Sequence, residues 1–396
     1  MEMKKQSQND KGGHIHPVTK AFRNIRKEKT RCSDWSNLSP DVLRKILETL
    51  SPIDSHQAKA VCSDWFSVWK TCLNRPPCPL RIIHQGENES SIKNTRRGLK
   101  ESSYCMASSG SWILMVDSRF HFHLLNLLTR KRINLPAIDD WKSYGSFEGP
   151  DRLKNSAVLW IDEVKEDYFV AWTFSQHHLF TYKKGDDSWS NVKPRGEGSE
   201  SVFLDIAYKN SKLYVLTTKQ KIKIFDVSKE GNPREEKKKN PYRKHPFRFD
   251  EKPREFVWKR KIAIQRSGEV LIILSLKEKK YDEEKLLFYV FKMNRESCEW
   301  ERVDSIGDGE MVVFGHGVTL RAPVECCFTE GIKSDSICFV EDDVWPDNQD
   351  HEDRASDCGV FDMATGRIEW PKKSCFYINE AQWFVPGVDY DYSRLF

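Results

Sequence analysis

Short runs of β-branched and aromatic residues, each bounded by polar residues that favour turns, recur along most of this chain of 396 residues. Such runs are typical of β-strands. The eight clearest are Ser111–Val116, Phe120–Leu125, Val158–Ile161, Tyr168–Thr173, Leu213–Leu216, Ile222–Asp226, Val270–Leu276 and Leu286–Phe291. No comparably long amphipathic helix competes with them, so the larger part of the chain is predicted to be all-β. So many short strands require an architecture that leaves few edges exposed.

A loose repeat organises these strands. An apolar strand ends in a polar residue, a tight turn follows, and a Trp or Ile comes next. Gly359–Asp362 leads to Trp370 in this way, and the strands that begin at Phe288 and Leu179 lead to Trp300 and Trp189. The irregular period of roughly 40 to 70 residues favours propeller blades with variable insertions over a β-sandwich.

Residues 35 to 50 have a different pattern, with apolar residues at helical spacing. Ser39 is expected to cap a helix, because Pro40 and Asp41 are well suited to its first turn. Pro52 is expected to end it. The apolar residues of this helix form one stripe, namely Val42, Leu43, Ile46, Leu47 and Leu50.

Two further short helices are predicted to follow. One is capped by Asp54–Ser55 and runs to about Val61, and the next begins at Ser63–Asp64. The latter presents one apolar face made of Trp65, Val68, Trp69 and Cys72. Three helices in about 40 residues form a marginal unit, which predicts that they dock onto a partner or a neighbouring domain.

The ordered set Leu38-x-Pro40-Asp41-x-Leu43-x-x-Ile46-Leu47-x-x-Leu50, followed by Asp54 and Val61-Cys62-x-x-Trp65, resembles the F-box pattern. That resemblance implies binding to a Skp-type adaptor through an exposed stripe, and it assigns Trp65 to internal packing. The implied adaptor-binding residues are Leu38, Pro40, Leu43, Ile46 and Leu47. Ser39 and Ser63 depart from the common pattern, which weakens the inferred affinity. The alternative is that the three helices only cap the large domain.

Three motifs in the β-rich part resemble, in the same order, the plant domain of unknown function 295, also called the KIB-type β-propeller. They are Asp335–Val340, Gly359–Asp362 and Trp383–Pro386. An F-box commonly precedes the propeller in that family. The resemblance therefore implies a multi-domain chain, with a small all-α module of three helices followed by an all-β, Kelch-like propeller with irregular blades. The expected divisions are a disordered basic tail (1–33), the F-box (34–75), a proline-containing linker (76–82) and the propeller (83–396).

Charge and cysteine content bear on location and partners. The 11 cysteines are odd in number and scattered, which favours reduced thiols, and no apolar run approaches the roughly 20 residues of a membrane helix. The chain is therefore expected in the cytoplasm, the nucleus or both, away from membranes. Residues 1–31 carry nine Lys or Arg against three acids, within a total net charge of +5. The folded part is thus near neutral, which gives nucleic-acid binding little support; the tail is either a solvated segment or a weak nuclear-import signal.

Two charged blocks stand out within the β-rich part. Lys229–Lys261 holds thirteen Lys or Arg against six Asp or Glu, and Glu341–Asp357 holds eight acids against one arginine. Both are predicted to be solvated loops inserted between strands. The functional alternative is that the basic block steers an acidic partner, or that the two blocks contact different faces of one substrate.

The chain lacks the usual signs of catalysis or metal binding. It has no glycine-rich phosphate loop and no known catalytic motif, and the pairs His121/His123 and His177/His178 offer at most half of a metal site. No catalytic residue, cofactor or metal is therefore predicted. The expected function is a non-catalytic substrate receptor of a ubiquitin ligase, which reaches cullin and RING subunits through the adaptor while its propeller binds a target protein. The rivals are a propeller that binds nucleic acid and a propeller enzyme acting on a small molecule or glycan.

Overall fold

The structure is a computed structural model of the chain. It describes residues 35, 38–50, 52–72, 80–85, 89–92, 103–117, 119–138, 155–192, 202–229, 231–280, 283–307, 309–322, 332–340, 358–370 and 380–384. The predicted tail (1–33) and the acidic block (341–357) lie outside these ranges.

Three helices precede all the described strands, as predicted. They are α1 (Pro40–Thr49), α2 (Pro52–Ala58) and α3 (Ser63–Cys72). Pro52 does more than end α1, because it occupies the first position of α2, where a missing N–H costs nothing. The second helix also ends earlier than the predicted Val61.

The described strands form five blades and one smaller sheet. Blade 1 contains β3 (Ser103–Ser109), β4 (Trp112–Asp117), β5 (Phe122–Asn126) and β6 (Arg132–Asn134). Blade 2 contains β7 (Ala157–Asp162), β8 (Asp167–Phe174), β9 (His178–Lys183) and β10 (Ser190–Asn191), and blade 3 contains β11 (Phe203–Lys209), β12 (Lys212–Thr217), β13 (Ile222–Asp226) and β14 (Arg234–Glu235). Blade 4 contains β15 (Glu255–Ile264), β16 (Val270–Lys280), β17 (Glu283–Met293) and β18 (Trp300–Val303). Blade 5 contains β19 (Glu310–Val313), β20 (Thr319–Arg321), β21 (Ser336–Val340), β22 (Cys358–Asp362) and β23 (Arg367–Glu369).

The first strands of successive blades lie side by side, since β3 contacts β7, β7 contacts β11 and β11 contacts β15. Side chains bind backbone across these boundaries: Ser109 Oγ accepts a hydrogen bond from Ile161 N (3.3 Å), and Asp205 Oδ2 accepts one from Ile262 N (2.7 Å). Buried apolar clusters fill the spaces between neighbouring blades. The predicted propeller is thereby confirmed.

A three-stranded sheet joins the two ends of the β-rich domain. Its strands are β1 (Leu80–Gln85), β2 (Glu89–Ile92) and β24 (Glu380–Phe384), with β1 in the centre. Leu80 pairs with Phe384, so the last predicted family motif lies beside the first strand. β1 begins at Leu80, the first residue after the final proline of the linker and two residues before the expected linker end at residue 82.

One turn recurs before the outer strand of blades 1, 4 and 5 and explains the sequence repeat. Asn126 Oδ1 accepts hydrogen bonds from the backbone N–H groups of Leu128 (2.9 Å) and Thr129 (2.8 Å). Asn294 Oδ1 accepts the equivalent two bonds in its own turn, whereas Asp362 accepts one from Ala364 N (3.0 Å) and one from the Thr365 hydroxyl (2.9 Å). The residue four positions later has a positive φ in each case: Arg130 (63°), Cys298 (58°) and Gly366 (63°). A polar residue at the strand end thus stabilises the backbone of the turn.

Two of the predicted family motifs are opposite strands of one hairpin. β21 pairs with β22, and Phe339 lies directly across from Gly359. A Cβ atom at Gly359 would lie 2.3 Å from Phe339 Cζ, so the ring occupies the space that any other residue would fill. Phe339 is fully buried and also packs against Phe288 of blade 4, with ring centroids 4.9 Å apart. This glycine therefore allows an aromatic contact between blades.

The prediction that the basic block Lys229–Lys261 is a solvated loop is wrong, because aromatic residues between its charges anchor it to the propeller. Phe247 is buried and packs against Phe291 and Trp300, and the Tyr242 hydroxyl accepts a hydrogen bond from Val270 N (3.2 Å). The end of the block forms part of β15, the first strand of blade 4.

The contact between Phe339 and Gly359 predicts the stability of two glycine variants. Gly359→Ala is expected to lower the free energy of unfolding by about 3 kcal/mol, because the new methyl group overlaps a buried ring. Gly366→Ala is expected to lower it by about 1 kcal/mol, because its positive φ is strained but nothing lies within 4 Å. Urea unfolding followed by tryptophan fluorescence compares the two. A larger loss for Gly366→Ala would contradict this packing.

Candidate docking surface on the helical module

The first helix begins at Pro40 without the predicted side-chain cap. Ser39 has an extended backbone, yet its side chain makes no capping hydrogen bond. Its carbonyl oxygen instead accepts the first intrahelical bond, from Leu43 N at 3.0 Å. The start of α1 thus relies on the fixed φ of Pro40 and on Asp41 near the positive end of the helix dipole.

The helical module has a small core of its own. Leu43 and Leu47 of α1 pack against Trp65 and Val68 of α3, and all four are buried. The Trp65 indole N–H donates a hydrogen bond to the carbonyl oxygen of Trp35 (2.9 Å), which holds the segment before α1 on the module. The expectation that Trp65 packs internally is confirmed.

The five predicted adaptor-binding residues lie in different environments. Pro40 is exposed, and Leu38 and Ile46 are half-buried at the edge of the core. Leu43 and Leu47 are buried, so the prediction that all five form an exposed stripe is wrong for these two. In so small a module Leu43 and Leu47 are needed to cover Trp65, so the apolar residues next to them in sequence face outward.

The outward apolar residues are mostly ones that the motif did not assign to binding. Trp35, Val42, Val61 and Phe66 are between 40% and 57% exposed. They make up half of the eight large apolar side chains that are exposed in the described ranges. Helical spacing provides a signal for one of them, because Val42 lies one turn before Ile46 and so shares its side of α1.

Aromatic and basic side chains border this surface on α3 and just before it. Phe66 and Trp69 stack with ring centroids 6.2 Å apart. Lys70 Nζ lies 4.5 Å from the Phe66 ring centroid, and Lys59 Nζ lies 4.5 Å from that of Trp69. The module therefore offers exposed apolar side chains next to positive charge, which suits a partner with an apolar groove and acidic residues around it.

Electrostatics place the end of α2 near blade 2. Burial lowers the pKa of His56, and the Lys59 ammonium lowers it further. Burial also lowers the pKa of Lys59. The Glu163 carboxylate, in the turn between β7 and β8, acts in the opposite direction on the pKa of both groups. The helical module thus lies at the end of the propeller where first strands turn into second strands.

The histidines of the two pairs lie in different environments. His121 is exposed and bonds to Asp117 through Nδ1 (2.9 Å), whereas His123 is buried. His178 stacks on Phe180 with ring centroids 6.0 Å apart. Within the part of the chain that the structure describes, no three His, Cys, Asp or Glu side chains are grouped to hold a metal ion.

A cavity of about 390 Å³ lies on blade 4, lined by Pro241, Tyr242, Glu269, Val270, Lys292, Met293, Arg295 and Cys298. Glu269 is its acidic group and pairs with Lys292 (2.6 Å) and Arg295 (3.3 Å). The bond to Lys292 contributes most to lowering the pKa of Glu269. A carboxylate already held by two cations is a weak base.

None of the described helices is long and apolar enough to cross a membrane.

The buried and exposed residues of α1 are expected to respond differently to truncation. Leu47→Ala should lower the stability of the helical module by about 2–5 kcal/mol, because it leaves a cavity beside Trp65. Val42→Ala should change it by less than about 0.5 kcal/mol, because Val42 faces water. Hydrogen exchange of the α1 amides in the full chain measures both effects. Equal exchange in the two variants would contradict the assignment of inward and outward faces.

Comparison with known proteins agrees with this arrangement. Residues 35–76 match the F-box domain, and residues 87–362 match the KIB1-4 beta-propeller. Among solved structures, the N-terminal domain of Nup159 aligns over 78% of this chain and 72% of its own, with 12% identity and a TM-score of 0.34, which is too low to support an argument.

Relatives in Arabidopsis thaliana match along most of their length. The F-box protein At2g04810 is 52% identical over 93% of this chain and 98% of its own. F-box only protein 7 is 46% identical over 89% of this chain and 94% of its own, and the F-box/kelch-repeat protein KIB1 is 36% identical over 74% and 75%. Both resemblances drawn from the sequence motifs are thereby confirmed. This chain belongs to the F-box proteins that carry a KIB1-4 β-propeller.

Proposed function

We propose that this protein is a substrate-recognition subunit of an SCF-type cullin-RING ubiquitin ligase. The helical module docks onto a Skp-type adaptor, which connects it to cullin and RING subunits, and the propeller binds a target protein for ubiquitination. The observation that carries the proposal is the concentration of exposed apolar side chains on a helical module that already has its own core. Exposed apolar groups on so small a unit favour burial against a partner.

The adaptor contacts are the outward residues of the module. Pro40, Val42 and Ile46 lie along α1, Leu38 precedes them, and Phe66 adds an aromatic side chain on α3. Burying such groups contributes about 25 cal/mol for each Å² of apolar surface removed from water. Leu43 and Leu47 act indirectly, because they fix the position of α1 against α3.

The chain contributes no catalytic group in this proposal and needs no cofactor. Ubiquitin transfer is accelerated because the propeller holds a target lysine near the charged enzyme, which raises its effective concentration. The rigid packing between blades keeps the target-binding surface at a fixed position, which supports this role. The protein then works in the cytoplasm, the nucleus or both.

Co-purification of the full chain with a Skp-type adaptor tests the proposal. Val42→Asp and Ile46→Asp should each reduce adaptor recovery at least tenfold, because a carboxylate cannot be buried in an apolar contact without a partner. Trp370→Asp is the control, since Trp370 is also an exposed large apolar residue and directly follows the outer strand of blade 5. Circular dichroism checks that the helices persist in each variant. Equal recovery from all three variants would overturn the docking role.

A further inference from the structure

The inner three strands of blade 4 continue well beyond the rest of the blade. β15, β16 and β17 have 10 or 11 residues each, whereas the outer strand β18 has four and pairs only with Val290–Met293. We call residues 255–260, 275–280 and 283–289 the blade-4 extension. It forms a three-stranded ribbon in which β15 is an edge, because β16 is its only described partner there.

Two aromatic side chains on this edge strand face water. Phe256 is 58% exposed and Trp258 is 38% exposed. Phe256 lies opposite Lys277 of β16, and the register shifts between Val257 and Lys259, so Trp258 occupies a β-bulge. A bulge redirects a side chain and increases the twist of the strand, and bulges are frequent beside functional sites.

A strained turn leads into the extension. Lys252, Pro253, Arg254 and Glu255 form a β-turn closed by the hydrogen bond from Glu255 N to Lys252 O (3.0 Å). Arg254 has φ = 78°, at a position where such turns favour glycine. Its carbonyl oxygen accepts a hydrogen bond from Lys279 N (2.9 Å), which ties the turn to β16. The turn therefore holds an arginine, in an unfavourable conformation, at the base of the aromatic edge.

The extension and its turn carry a surplus of positive charge. Residues 251–260, 275–280 and 283–289 contain eight Lys or Arg and five Glu. Two of those acids pair with cations of the same surface: the buried Glu255 accepts a hydrogen bond from the Tyr289 hydroxyl (2.7 Å) and pairs with Lys252 (3.6 Å), and Glu251 pairs with Arg260 (3.6 Å). Other exposed basic residues include Arg254 and Lys279. The net field at this surface therefore attracts acidic groups.

We propose that the blade-4 extension binds an acidic, extended segment of a partner protein, with an apolar side chain of that segment packed against Phe256 and Trp258. The open edge of β15 supplies backbone groups for a strand-like segment, and the basic residues supply charge complementarity. Acidic residues interspersed among the basic ones disfavour a continuous phosphate backbone, so a polypeptide fits better than a nucleic acid. The extension would be the site at which the propeller recognises its target, so this inference rests on the proposed function.

The geometry leaves this surface free while the helical module is occupied. The module lies near Glu163, in the turn from the first to the second strand of blade 2. The equivalent turn of blade 4 follows Ile264, at the far end of β15 from Phe256. Because equivalent strands of a propeller run in the same direction, the extension and the helical module lie on opposite faces.

A display library of random 12-residue peptides, selected on the full chain, tests the occupant. Enriched peptides should be rich in Asp and Glu around an aromatic or aliphatic residue. Fluorescence anisotropy with one enriched peptide should then show at least tenfold weaker binding to Phe256→Ala/Trp258→Ala, and weaker binding as salt increases. Trp370→Ala removes another exposed aromatic and should leave binding unchanged. Failure to enrich acidic peptides, or equal binding by the double variant, would overturn the proposal.

Arg254→Gly separates binding from folding. Glycine relieves the positive φ, so the thermal midpoint should stay the same or rise, while peptide affinity should fall about two- to fivefold with the lost charge. Arg130→Gly is the matched control, because it removes one exposed arginine of positive φ on blade 1. It should keep full peptide affinity. Equal affinity of the two variants would contradict the charge argument.

Two further measurements separate the possible failures. A 12-nucleotide single-stranded RNA serves as a second probe, and RNA binding that the double variant loses would replace the acidic peptide as occupant and overturn the proposal. Adaptor recovery is measured on the same variants and should be unchanged. If no acidic peptides are enriched but the adaptor is recovered, this inference alone is overturned. If the unmodified chain never recovers the adaptor, the proposed function is overturned and the peptide result still stands.

Discussion

A ring of blades depends on how its first and last strands are joined, because an open ring would leave two sheet edges unpaired. Here β1, immediately after the proline-containing linker, pairs with β24 near the end of the chain. Inside the ring, buried contacts such as Phe339 with Phe288 and the Asp205 bond to Ile262 N connect one blade to the next. The stability of each blade therefore depends on its neighbours, and the ring provides a fixed platform for the surfaces at its two ends.

The helical module solves a different problem. With about 40 residues it cannot bury all its apolar side chains, so Leu43, Leu47, Trp65 and Val68 form the core and their neighbours in sequence face outward. The same residues that make the module marginal alone make it suited to a partner. The module lies near Glu163, at the end of the propeller opposite Phe256 and Trp258, so the two proposed binding surfaces are separate.

Much of this architecture was predictable from the sequence. The eight clearest strands and the three helices follow from apolar periodicity and turn residues, and the order of the motifs indicates both domains. The charged parts were not predictable in the same way. β15 lies in a lysine-rich stretch, and its aromatic residues stand between Glu255 and the basic run Lys259–Lys261. The sequence therefore indicates a solvated loop, whereas in the structure Phe247 and Tyr242 anchor the segment before it.

The docking residues show a similar division. The motif indicates the helical module, yet a pattern of apolar positions cannot separate those that face inward from those that face outward, since Leu43 and Val42 are adjacent and both apolar. Only the packing of α3 against α1 makes that distinction. The sequence indicates the blade-4 extension even less clearly. Lys277 and Lys279 follow the apolar run of the buried half of β16, so the strand is expected to end there.

The central claim is that the outward face of α1 and α3 binds an adaptor while the propeller remains available to a target. Hydrogen-exchange mass spectrometry of the full chain, with and without a Skp-type adaptor, tests it most directly. The account predicts slower exchange in residues 40–49 and 63–72 on adding the adaptor, and unchanged exchange in residues 255–293. Unchanged exchange in the helices, or protection confined to blade 4, would contradict it.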